Sequence, residues 1–134
     1  MTEIRIVIVE NDEDEQLFMR EGFVASGLFD ILAIVRNGNE LMNWLGANKG
    51  TLPHIILSDL NMPGKNGYDI IEEITASEEY KQIPVIITST SSTQSLIDKC
   101  LEMGAAHYLI KPEVFIDYLP FSKRLYETVK DEVN

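Results

Sequence analysis

A chain of 134 residues with 45% hydrophobic side chains is long enough for one packed core and too short for a receptor joined to an effector. Its formal net charge of -11 excludes unassisted binding to nucleic acid or to an anionic membrane, which both need basic patches, and leaves proteins or small cations as partners. One cysteine, Cys100, excludes an internal disulfide, and without a basic leader or a membrane-length apolar run the expectation is a soluble cytoplasmic protein.

Ile4 to Val9 is apolar apart from Arg5, which predicts a buried strand, and it runs straight into Glu10, Asn11, Asp12, Glu13, Asp14 and Glu15. Asp12 followed three residues later by Glu15 has the spacing of a capping box, and Leu17, Phe18, Glu21, Val24 and Ala25 carry a helical pattern to Gly27, a suitable stop. Part of that acid is therefore helix-start chemistry, with carboxylates set against the positive end of the dipole. Ile31 to Val35 predicts a second strand and Asn37-Gly38 a turn. Asn39 to Ala47 predicts a short helix whose Leu41, Met42, Trp44 and Leu45 belong to the core.

Gly50 to Pro53 interrupts the chain before its organising stretch. There Ile55, Ile56 and Leu57 have the length and branching of a buried strand, which Asn61, Pro63, Gly64, Asn66 and Gly67 cannot prolong. Asp59 thus stands at the carboxyl end of a strand, where open parallel sheets bind their ligands. Taken alone it reads more readily as a turn cap than as a working residue, and the other strand ends decide for the latter. Tyr68 to Ser77 predicts a helix with Ile70, Ile71 and Ile74 facing the sheet. Val85 to Thr88 predicts another buried strand, ending in Ser89, Thr90, Ser91, Ser92 and Thr93; one or two of these hydroxyls would cap the helix Gln94 to Met103. Gly104 closes that helix, His107 to Ile110 is the last strand, and Lys111-Pro112 follows at once. Phe115, Leu119, Leu125 and Val129 mark a final amphipathic helix that tolerates Pro120 only in its first turn.

Five alternations of strand and helix argue for an α/β parallel sheet with helices on both faces and right-handed crossovers. Strand order does not follow from periodicity. In such a sheet Glu10, Asn11, Asp12, Asp59, Ser89 and Lys111 gather at one edge. Clustered carboxylates raise the pKa of at least one member unless a cation joins them, and hard oxygen ligands suit Mg²⁺, which keeps several waters. A lysine and a hydroxyl would contact a phosphoryl group, and the ionised Asp59 would act as its nucleophile and become an acyl phosphate.

Asp59 with Leu-Asn-Met-Pro-Gly-x-x-Gly behind it, Ser89 closing its strand and Lys111-Pro112 resemble, in order and spacing, the phosphoacceptor, hydroxyl and lysine motifs of the receiver domain of two-component response regulators. The resemblance runs from Ile4 to Val129. It implies a flavodoxin-like fold, a five-stranded parallel sheet in the order 2-1-3-4-5, and one stand-alone receiver over residues 1–134 without an output domain. The segment lengths before His54 and Pro84 resemble small receivers paired with phytochrome-type kinases. The implied donor is a sensor histidine kinase or a histidine phosphotransfer protein. The implied readout of a downstream protein uses the helix from Gln94, the last strand and the last helix, a face that would also serve a homodimer. Such a protein signals, and its only catalysis is its own phosphorylation and dephosphorylation.

Residue by residue, the resemblance makes Asp59 the phosphoacceptor and puts Glu10 and Asn11 at the metal positions. Asn61 would give Mg²⁺ its backbone carbonyl, Lys111 would contact the phosphoryl group, and Ser89 would bond to it after transfer while Tyr108 turns into the vacated space. Read alone, Tyr108 is half-buried strand packing. The Lys111-Pro112 bond is implied to be cis. Asn11 departs from the family, which usually has a second acid there; an amide ligates Mg²⁺ without charge, so weaker metal binding is expected, with Asp12 as a substitute ligand.

Asn11 is the one feature favouring a pseudo-receiver that binds proteins without being phosphorylated, and Asp59, Ser89 and Lys111 oppose it. A flavin carrier would be repelled by residues 10–15, and an aspartyl-phosphate phosphatase would carry another acid where Leu60 and Asn61 stand. Cys100 reads as core packing, His54 and His107 begin separate strands and form no zinc site, and Lys123, Arg124 and Lys130 form a solvated face.

Overall fold

The structure is a computed structural model that describes residues 3–114 and 117–133. Its elements follow one another as β1 (Ile4–Val9), α1 (Glu13–Ser26), β2 (Phe29–Val35), α2 (Gly38–Ala47), a 3₁₀ turn (Lys49–Thr51), β3 (Ile55–Asp59), α3 (Gly67–Ala76), β4 (Val85–Ser89), α4 (Gln94–Met103), β5 (His107–Ile110) and α5 (Tyr118–Val129). All strand pairs are parallel, in the order β2-β1-β3-β4-β5. The architecture and strand order expected from the resemblance are therefore those observed.

Side-chain alternation sorts the core into two layers, because successive residues of a strand point to opposite faces. Ile6, Ile8, Ile55, Leu57 and Ile86 pack with Met19 and Phe23 of α1 and with Phe121 and Leu125 of α5. Val7, Val9, Ile56 and Ile87 pack instead with Leu41 and Leu45 of α2, Ile70 and Ile74 of α3 and Cys100 of α4. Both faces of the three central strands are thus covered, which is why these strands read as continuous apolar runs. Helix α1 meets α5 across a glycine: a β-carbon on Gly22 would lie 2.6 Å from the backbone carbon of Tyr118.

Most boundaries fall where the turn chemistry puts them. Gly27 (φ 69°) and Gly104 (φ 119°) end α1 and α4 in the left-handed region. Asn66 and Asp69 cap α3 reciprocally, and Pro120 is the third residue of α5, inside its first turn. Asp12 accepts the Glu15 N–H at 2.9 Å, but its own N–H goes to Glu10 Oε2 at 3.1 Å instead of completing a capping box.

Four expectations need correction. Asn37-Gly38 is a helix start, not a free turn, because the Asn37 side chain accepts the Glu40 N–H at 2.9 Å. Strand β2 begins at Phe29, two residues early; Asp30 interrupts the apolar pattern, while Phe29 packs its ring 5.1 Å from that of Phe23. No side-chain hydroxyl caps α4 at Thr93: Ser91 Oγ accepts the Thr93 N–H and donates to Thr93 Oγ1. Lys111-Pro112 is trans, the form an X-Pro bond prefers by about 0.5–1 kcal/mol. Phe115, assigned to the last helix, lies outside the described residues.

Candidate functional site

Register brings the chemistry to one edge. Val9 pairs with Ser58, Asp59 with Thr88 and Ser89 with Ile110, so Glu10, Asp59, Ser89 and Lys111 all emerge at the carboxyl ends of their strands. Glu10 is 2% exposed, Asp59 8% and Lys111 9%, a burial that charged side chains tolerate only when paired.

The pairing is made by Lys111. Its Nζ lies 3.0 Å from Glu10 Oε1, 3.0 Å from Glu15 Oε2 and 3.3 Å from Asp59 Oδ1. Three carboxylates thus face one ammonium. Burial pushes the Asp59 carboxyl above its ordinary range, and Lys111 and the Asn61 backbone N–H offset only part of that rise. Glu10 is raised in the same way, by burial first, against the lowering effect of Lys111, and the Asp59 charge adds to the rise. For Lys111 burial disfavours the ammonium, but Asp59 and Glu10 outweigh it and hold the pKa above the ordinary lysine value. The cluster therefore carries surplus negative charge, held in place by backbone donors: Asp12 N–H on Glu10 Oε2, and Asn61 N–H on Asp59.

The loop after Asp59 is folded back by glycine. Gly67 N–H donates to Leu60 O at 2.9 Å, and a β-carbon on Gly67 would lie 2.8 Å from Leu60 Cα. Leu60 N–H in turn continues the ladder to Thr88 O. Asp59 is thus the last strand residue before a constrained turn.

Ser89 is 1% exposed and stands one strand over; its Oγ accepts the Ser91 N–H at 3.2 Å, and its carbonyl accepts the Lys111 N–H at 2.8 Å. Tyr108 is half-buried against the layer of Val7 and Ile87, and its hydroxyl donates to Ser91 O at 2.8 Å. It is therefore both core packing and a tie on the loop that follows Ser89. Burial raises the Tyr108 pKa, with Ser89 as a hydrogen-bond neighbour that opposes the rise. Asn11, Asp12 and Asn61 are exposed at the rim, and the Asp12 carboxylate is already engaged as the α1 cap. The structure thus joins Glu10, Asp59 and Lys111 directly, sets Ser89 and Tyr108 beside them, and leaves Asn11 and Asp12 outside the ion-pair cluster.

Two members were not singled out from the sequence. Glu15 reads as helix-start acid, yet its side chain reaches Lys111. Tyr118 is not among the apolar positions expected for the last helix, yet its hydroxyl donates to Glu15 Oε2 at 2.5 Å. A legible signal existed: Tyr118, Phe121, Leu125 and Val129 form a buried stripe, and a tyrosine inside such a stripe needs a partner for its hydroxyl. The other conspicuous side chains stay apart from the site. His54 Nδ1 accepts the Arg5 N–H, His107 meets Glu132 at 2.7 Å, and Cys100 is buried in the core. Among the described residues no group of three or more His, Cys, Asp or Glu side chains forms a metal cage.

A doubly wound parallel sheet whose central strand presents an aspartate to a buried lysine defines a class, and the sequence agrees: residues 6–117 match the response regulator receiver domain, and the chain belongs to that family. It is 30% identical to the two-component response regulator ORR5 of Oryza sativa subsp. japonica, over 79% of this chain and 77% of that protein. It spans about a third of the length of several Arabidopsis thaliana response regulators that it also matches. Among solved structures it is similar to the phosphorylated cyanobacterial phytochrome response regulator RcpA (TM-score 0.84, 26% identity, 99% of this chain and 98% of that one). It shares its fold with the Mn²⁺-bound form of response regulator Rcp1 (TM-score 0.79, 24% identity, 98% and 97%). Among the described residues no helix is long and apolar enough to cross a membrane.

Proposed function

We propose that this receiver accepts a phosphoryl group on Asp59 from the phosphohistidine of a sensor histidine kinase or a histidine phosphotransfer protein. The observation that carries the reading is the buried Lys111 ammonium 3.3 Å from Asp59 Oδ1, inside a cluster with more carboxylate than cation. In the transfer an Asp59 oxygen attacks phosphorus in line, the N–P bond breaks with its electron pair left on that ring nitrogen, and the imidazole, protonated on its other nitrogen, leaves neutral. Lys111 stays protonated throughout, since Asp59 and Glu10 hold its pKa up, and it supplies a fixed positive charge to the incoming phosphoryl oxygens. Ser89 then donates a hydrogen bond from its hydroxyl to a phosphoryl oxygen. The Ser89 and Ser91 loop shifts with it, and Tyr108, bonded to Ser91 O, carries the change to the face made by α4, β5 and α5, where a downstream protein or a second copy would bind.

The donor set fits a divalent cation. Glu10 and Asp59 are two hard carboxylates with surplus negative charge around them, and Mg²⁺ is commonly bound by one or two carboxylates plus waters. Mg²⁺, when bound by Glu10, Asp59, Asn11 and the Asn61 backbone carbonyl, would supply positive charge against the transferring phosphoryl group. Asn11 contributes an oxygen without charge, and Asp12, spent on the helix cap, is a poor substitute. Mg²⁺ should therefore bind more tightly to Asn11→Asp; equal affinities would refute this part.

Intact-protein mass after incubation with acetyl phosphate tests the whole reading. One phosphoryl adduct that requires both Mg²⁺ and Asp59, and is lost in Asp59→Asn, is expected. No adduct under conditions that load an ordinary receiver would replace this reading with that of an unphosphorylated protein-binding module.

A further inference from the structure

The inference rests on Asp59 as the phosphoryl acceptor and concerns what Lys111 must give up to serve it. A lysine ammonium has three hydrogens, and here three carboxylates surround it. A phosphoryl group arriving on Asp59 needs one of those hydrogens; Asp59 loses its own charge in becoming the acyl phosphate, so the carboxylates that keep theirs and compete with the phosphoryl oxygens for Lys111 are Glu10 and Glu15. Glu10 is bound at the edge by the Asp12 N–H as well. Glu15 differs in that it comes from helix α1, its side chain is 12% exposed, and the same oxygen that meets Lys111 also accepts the Tyr118 hydroxyl from α5.

We propose that Glu15 is a positioning residue that competes with the phosphoryl group for Lys111, and that Tyr118 sets the strength of that competition by sharing the Glu15 oxygen. Glu15 acts through its charge: a contact between ammonium and carboxylate away from water is stronger than the same contact to a neutral oxygen. The Tyr118 hydroxyl weakens that grip in two ways. It draws on the charge of Oε2, and it keeps that oxygen hydrogen-bonded when Lys111 moves off. Without it, Lys111 is the remaining donor to Oε2 and is held harder. The two residues therefore act in opposite directions, which a pair that merely stiffened the fold would not do.

The test is the affinity for beryllium trifluoride with Mg²⁺, a phosphoryl mimic that needs no bond cleavage, titrated by ¹⁹F NMR in the wild type, Glu15→Gln, Tyr118→Phe and the double variant. Glu15→Gln keeps the shape and an acceptor oxygen, and binding should tighten about three- to tenfold. Tyr118→Phe should weaken it by about twofold, and the double variant should match Glu15→Gln because Tyr118 has nothing left to act on. Weaker or unchanged binding by Glu15→Gln, or a Tyr118→Phe effect that persists in the double variant, overturns the proposal while a wild type that still takes phosphate leaves Asp59 in its role. A wild type that binds no mimic and takes no phosphate overturns both.

Discussion

Replacing Lys111 by methionine keeps most of the side-chain volume and deletes the charge on which three carboxylates rely. The lysine side chain is 7% exposed, and the carboxylates lie within 3.3 Å. Removing one partner of a buried ion pair costs about 3–5 kcal/mol, and the lower end applies to a cluster at a sheet edge that water and protons can reach. With a urea slope of about 2 kcal/mol/M, a loss of about 3 kcal/mol moves the unfolding midpoint down by about 1.5 M. The pH dependence follows in sign. Asp59 and Glu10 are already raised by burial, and deleting Lys111 removes the influence that lowers them. A carboxylate whose folded pKa lies above its unfolded value takes up a proton on folding, so the folded state gains as pH falls through the folded pKa. The defect of Lys111→Met should thus be largest near about pH 8 and shrink toward about pH 5, measured by urea unfolding of both proteins in metal-free buffer. Equal defects at the two pH values, or a midpoint shift below about 0.3 M, would refute this account of the cluster.

Asp59→Asn should raise the urea midpoint in metal-free buffer at neutral pH, because burial makes the ionised carboxylate costly and Lys111 offsets only part of that; the gain should fade as pH falls through the carboxylate range, and a loss of stability at neutral pH would contradict it. Gly22→Ala drives a methyl into the Tyr118 backbone and should cost about 1–3 kcal/mol by urea unfolding, where an unchanged midpoint would mean that α1 and α5 separate freely. Asn66→Ala removes the reciprocal cap of α3 beside the loop that follows Asp59 and should cost about 1 kcal/mol in the same assay.

The parts of this protein that could be read from sequence are those where one local signal suffices. The apolar runs at Ile4, Ile55 and Val85 are strands because both of their faces are covered, and Gly27 and Gly104 end helices because few other residues adopt positive φ. Given parallel strands, the meeting of Glu10, Asp59 and Lys111 follows from geometry, since the carboxyl ends of parallel strands share one edge. Strand order is not in the periodicity, because alternation says which face a residue takes and not which strand lies beside it; here it came from the resemblance. What escaped was chosen by tertiary contacts. The Asp12 N–H could have bonded Glu15 and went to Glu10 instead, and the Ser91 hydroxyl turned toward Thr93. Glu15 has a sufficient local reason to sit in the first turn of α1, and only its distance to Lys111 and Tyr118 reveals a second one.

The measurement closest to the central claim is the location of the phosphate. An acyl phosphate is reduced by borohydride to the alcohol, so a phosphorylated aspartate becomes homoserine, readable by peptide mass mapping. After incubation with acetyl phosphate and Mg²⁺, homoserine is expected at position 59 alone and absent without the phosphodonor. Reduction at Glu10, Asp12 or another residue, with Asp59 intact in a protein that has taken up phosphate, would contradict it.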